Sequence, residues 1–164
     1  MTTQRMVPRL GDVIELPVAG RYAYLQYVNH HREPPRFGAL IRVLPGLFEQ
    51  RPDSLDGLCS RPEGFIAFFP LGAALRGNHG SIVGNKEIPI AFNQWPLFKG
   101  YNENIETGDR TWWLWDGRKS WCIGKLNADQ YDLPMHETIN LTCLHNRILR
   151  GWAARDEVRP EDKA

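Results

Sequence analysis

The chain has 164 residues, enough for one compact domain whose core needs neither metal nor disulfide staples. Twenty Lys and Arg against nineteen Asp and Glu leave almost no net charge, so nothing global attracts nucleic acid or an anionic bilayer. Cys59, Cys122 and Cys143 are widely spaced and form no CxxC pair, which argues against a disulfide framework and fits a reducing compartment. There is no leader-like opening and no apolar run long enough to span a bilayer, so a cytoplasmic location is expected.

Residues 1–9 read as a flexible lead-in. In "GDVIELPVAGRYAYLQYVNHH" apolar and polar side chains alternate on either side of VAG, which predicts two strands joined by a tight turn in which Gly20 supplies positive φ. "RFGALIRVLPG" predicts a third strand stopped by Pro45 and Gly46. Residues 47–64 read as an irregular excursion with room for a short strand at 47–50. "GFIAFFP" has the continuous apolar character of a strand buried on both faces. "LGAALRGNHG" allows one helical turn, and "SIVGNKEIPIAF" one or two short strands. "NQWPLFKGYNENIETGDR" reads as polar and turn-rich.

"TWWLWDGRKSW" places an Asp-Gly turn signal between aromatic residues and predicts a hairpin centred near 116–119. On such a hairpin Trp112 and Leu114 share one face, while Trp113 and Trp115 share the other. Those rings either pack under the helix and long loops or leave an aromatic recognition surface. After "YDLPMHE", Leu141, Leu144, Ile148 and Trp152 recur at steps of three and four, predicting a helix that Gly151 ends, with Trp152 folding back. The charged residues 154–164 read as a solvated, frayed tail.

No spacing here specifies catalysis. His30 and His31 are neighbours on a strand and project oppositely, and no HExxH or cysteine-rich pattern accompanies them, so no metal is expected. Glu15 reads as a cross-strand ion-pairing partner, and Cys122 and Cys143 as small apolar residues. No phosphate-binding loop is present, and no cofactor is implied.

The order of "GDVIELPVAGRYAYLQYV", "WWLWDG....W.IG" and "LPMHETIN...L.NRILRGW" resembles the immunity protein 26 family of bacterial polymorphic toxin systems, over most of residues 10–152. The same label has been applied to a small bacterial phosphotriesterase. The resemblance implies a cytoplasmic protein that neutralises a cognate toxin by stoichiometric binding. It also implies fold-maintaining roles for Gly11, Asp12, Pro17, Gly20 and Tyr24 in the first hairpin and for Trp113, Asp116, Gly117, Ile123 and Gly124 in the second. Leu133, Pro134, Arg147, Ile148 and Trp152 complete that pattern.

The expected architecture is mainly β: residues 10–153 form a curved antiparallel sheet or small barrel with one C-terminal helix packed on it. The partner-binding candidates are Trp113, Trp115, Arg118, Arg147 and Arg150, and the expected partner is a toxin protein, not nucleic acid or membrane. The alternatives are a metal-dependent phosphotriester hydrolase and a non-catalytic structural or regulatory protein. A hydrolase would need His30 or His31 to meet His79 and Asp12 or Glu15 in one pocket.

Overall fold

The computed structural model describes residues 6–164; residues 1–5 of the expected lead-in lie outside the described residues. Residue Arg9 is already tied down, its backbone N–H donating to the Asp12 carboxylate at 2.7 Å.

Two antiparallel sheets, five-stranded and three-stranded, stand in place of the single sheet or barrel that was expected. The larger comprises β1 (Asp12–Val18), β2 (Arg21–His31), β3 (Gly38–Val43), β4 (Phe65–Phe68) and β5 (Ser81–Asn85), in the order β4-β3-β2-β1-β5. The smaller joins β6 (Phe98–Glu103), β7 (Arg110–Trp115) and β8 (Ser120–Gly124) in sequence. Helices are more numerous than expected, so the fold is mixed α/β: α1 (Leu55–Cys59) and α2 (Leu71–Arg76) precede the long α3 (Leu141–Arg150). Among the described residues no helix is long and apolar enough to cross a membrane.

The first hairpin forms as expected. Its turn residues Ala19 and Gly20 have φ of 49° and 79°, the pair of positive values that a two-residue type I′ connection requires. Register then sorts side chains between the two faces of the sheet. Ile14, Leu25, Val43 and Phe65 lie in one row, and Tyr27, Ile41 and Ala67 in another. Both rows face the principal core, to which α2 adds Leu71, Ala74 and Leu75 and α3 adds Leu144. On the opposite face Val28, Leu40, Ile66 and Phe68 build a second core with Phe98 and Trp115 of the smaller sheet.

That face also carries a buried polar row. Arg42 is only 1% exposed, a costly place for a guanidinium unless its donors are matched. They are: Nε donates to Gln26 Oε1 at 2.8 Å and Nη2 to the Cys59 carbonyl. In residues 47–64 the short extended piece appears as a bridge between Phe48 and Tyr22, followed by α1.

The segment 134–139 joins the sheets. His136 N–H donates to the Lys99 carbonyl at 2.8 Å, Lys99 N–H to the Pro134 carbonyl at 2.8 Å, and Ile139 N–H to the Phe68 carbonyl at 2.9 Å. The free edges of β4 and β6 are thus both used by one stretch of chain. Alternation along it sends Met135 and Ile139 into the principal core and leaves His136 against the aromatic rings of the second.

Helix α3 behaves as its periodicity predicts. Asn140 caps it by accepting from Cys143 N–H, and Gly151 closes it at φ 59°. Trp152 then folds back into the core. The C-terminal segment differs from the solvated tail expected. It makes 3-10 turns at Ala154–Glu157 and Pro160–Asp162 and docks on the chain: Leu126 N–H donates to the Asp162 carbonyl at 2.9 Å, and Ala164 N–H to the Leu126 carbonyl at 2.8 Å. The charges that suggested solvation serve as caps and ion pairs, with buried Asp162 accepting from Arg159 N–H and facing Arg110. The Lys99 ammonium, also buried, donates to the Tyr131 and Ala154 carbonyls. Burial pushes its pKa down to about 8.

Candidate functional site

The tryptophan hairpin provides the centre of the site. β7 alternates as predicted: Trp112 is fully buried in the principal core, while Trp115 enters the second core on the other face. Trp113 shares the Trp115 face and pairs across the sheet with Gly100 and Cys122. A Cβ placed on Gly100 would stand 2.3 Å from the Trp113 ring. The missing side chain therefore lets this indole lie flat on the backbone of β6. Trp113 is half-buried, and the side chains around it on that face, Asn102, Thr111, Ser120 and Cys122, are short. Together with Phe37, Trp121 and His136 they line a groove of about 560 Å³.

His136 closes the inner end. Its ring stacks on Trp115 with centroids 4.1 Å apart and planes 8° apart, and it meets the rings of Phe37 at 4.5 Å and Trp113 at 5.2 Å edge to face. Both ring nitrogens are occluded and have no hydrogen-bond partner among the described residues. Burial, reinforced by nearby His31, pushes its pKa down to about 4. At neutral pH the imidazole is therefore uncharged and serves as another flat ring. Neighbouring His31 has its own fixed role: Nε2 lies 3.1 Å from the Gly117 carbonyl and Nδ1 receives the Phe37 N–H at 3.4 Å. An acceptor at Nε2 and a donor at Nδ1 together assign the proton to Nε2.

The β7–β8 turn is tied by its own hydrogen bonds. Asp116 Oδ1 accepts from the N–H groups of Lys119 at 2.8 Å and Arg118 at 2.9 Å; these donors hold its carboxyl below the usual range. Gly117 sits at φ 100°, and a Cβ there would come within 2.6 Å of the Trp95 ring. Arg118 is thereby presented, exposed, between the aromatic groove and a second cleft lined by His30, Arg32, Glu33 and Trp95.

Of the sequence candidates, Trp113, Trp115 and Arg118 come together here. Arg147 and Arg150 do not. Arg147 lies 3.7 Å over the Trp152 ring and ion-pairs with Glu137, leaving its side chain 11% exposed, while Arg150 is exposed in the last turn of α3. The grouping a hydrolase would need is not assembled. His30 and His31 lie by the second cleft, Glu15 bonds Tyr24 and Arg51, Asp12 accepts from Asn85, and His79 packs over Gly77 beyond α2. Among the described residues no group of three or more His, Cys, Asp and Glu is placed to hold a metal ion.

Sequence reasoning did not pick out His136, Phe37 or Trp121 as groove residues. The alternation in Met135-His136 was the available signal, since a short extended piece before a helix must place one of the two on each side. No family model matches the chain, and neither the curated proteins nor the solved structures include one significantly similar to it.

Proposed function

We propose that the protein is a stoichiometric binding protein of the immunity type, which neutralises a cognate bacterial toxin by docking it over the aromatic groove and the Arg118 rim. The observation that carries this reading is the Trp113 ring laid flat on Gly100, in a groove that Trp121, 43% exposed, also lines. Rigid indoles give large contact area at low entropic cost, which is why they dominate binding energy at protein interfaces. The groove offers little to catalysis. Its one histidine has occluded nitrogens, so it cannot relay a proton to or from the Cys122 thiol that also lines the groove. A stable complex buries about 1,200–2,000 Å² in total, more than the groove supplies, so contacts extend onto the second cleft and its rim.

The test is co-expression with a toxin encoded by a gene found next to that of this chain. Rescue of growth and co-purification in a one-to-one complex are expected. Cys122 reports the location, being exposed in the groove while Cys59 is buried: its alkylation slows in the complex and that of Cys143 does not. Failure of both rescue and co-purification overturns the reading.

A further inference from the structure

We infer that the partner fills this groove with an aromatic side chain flanked by carboxylates, carried on an extended acidic segment that crosses the β7–β8 turn. The inference rests on the binding reading above and adds the chemistry of what is bound.

The ring follows from the platform. Trp113 is held flat by Gly100 and its sheet neighbours are short, so the space above it suits a second flat ring rather than a branched aliphatic side chain. The uncharged imidazole of His136 and the edge of Phe37 bound that space with further aromatic surface.

The charge follows from Arg118. The groove lining contains this one guanidinium and no Asp or Glu. Arg118 has no ion pair among the described residues. The acid nearest in sequence, Asp116, spends one carboxylate oxygen on the N–H groups of its own turn. A partner that covers the groove mouth takes water away from Arg118, and a cation desolvated without a counter-ion is strongly unfavourable. The partner must therefore bring the anion. In the second cleft Arg32 stands with Glu33, so the cation surplus is centred on Arg118.

An extended segment, rather than a small free acid, follows from the position of that cation. Arg118 belongs to both the groove and the second cleft, and Gly117 and Trp95 form the wall between them. A chain passing over the turn engages both sides with one ion pair at its middle.

Three short peptides test this, each with a central tryptophan flanked by aspartates, by asparagines or by lysines. They are titrated into the ¹⁵N-labelled protein at low ionic strength while the indole N–H signals of Trp113 and Trp121 are followed. The aspartate peptide should bind about fivefold tighter than the asparagine peptide, the range of one exposed ion pair, and the lysine peptide more weakly still. Arg118→Glu, at an exposed position whose side chain makes no hydrogen bond or ion pair among the described residues, should reverse the order. Equal affinity for all three, an order unchanged in Arg118→Glu, or no binding at millimolar peptide overturns the inference. Indole-3-acetate binding as tightly as the aspartate peptide overturns the extended segment. A toxin captured equally by wild type and Arg118→Glu removes the charge rule and leaves the immunity reading in place.

Discussion

His136 is a titratable side chain placed where only its shape is used. It stacks on Trp115 with both nitrogens unpartnered among the described residues, and a buried unsatisfied polar group costs about 1–3 kcal/mol. His136→Phe keeps a ring in the stack and removes that cost. It should stabilise the protein by about 1 kcal/mol, measured by chemical denaturation at pH 7. The same change alters the pH response. Above pH 6.5 the histidine is neutral in both states; as pH falls from 6.5 towards 4 the unfolded chain takes the proton first, and stability declines by at most about 1.4 kcal/mol per pH unit. Below that window the folded form also protonates and the decline stops. The Phe variant should lose this component between pH 7 and pH 5, keeping only what His30 and His145, also pushed down by burial, contribute. An unchanged slope would show that His136 is not held neutral. Gly100 is the complementary position. Gly100→Ala meets the Trp113 ring at 2.3 Å, so the indole must lift from the sheet. We expect a cost of about 1–3 kcal/mol from overpacking, a shifted Trp113 indole signal and weakened toxin capture.

At the scale of elements, the tryptophan hairpin shows how a turn becomes part of a site. Asp-Gly specifies the connection, but Trp95 and His31, distant in sequence, fix where it points by covering Gly117 and bonding its carbonyl. Gly117→Ala introduces strain at φ 100° and a contact at 2.6 Å with Trp95. The expected loss is about 1–3 kcal/mol, read as a lower denaturation midpoint, with broadened Arg118 and Lys119 amide signals. This hairpin, the first hairpin, β3, β4 and α3 were legible because their signals are local: alternation, a turn dipeptide, a 3.6-residue stripe. β6 was not, because Gly100 interrupts its pattern and Asn102 and Glu103 are exposed beyond it. The faces of Trp113 and Trp115 were legible from period two alone. Which face would open into a groove depended on Phe37 and His136, brought in by the segments before β3 and before α3; alternation sets Met135 and His136 on opposite sides but does not say what either side meets. Arg147 illustrates the converse. Its position on the helix suggested a binding cation, whereas Glu137 and Trp152 had already claimed it.

For the whole molecule, two cores meet across the smaller sheet, and the C-terminal segment closes the side away from the groove. Trp112 and Trp115 point to opposite cores from the same strand, so the groove face holds its geometry only while the other face stays packed. Asp162 anchors that packing: it is 2% exposed and receives the Arg159 N–H at 2.8 Å, with Arg110 at 3.4 Å. Removing one partner of such a cluster leaves buried donors unmatched, costing about 1–3 kcal/mol. Asp162→Ala should therefore lower stability by that amount and speed amide exchange at Leu126, whose N–H donates to the residue 162 carbonyl. A chain ending at residue 157 should lose more, because the Leu126 bridge and the Arg110 pair go together. If the segment were only a charged tail, both variants would unfold with the wild type. Loss of stability in both, with peptide binding in the groove retained by Asp162→Ala under native conditions, would place the segment in the scaffold and apart from recognition.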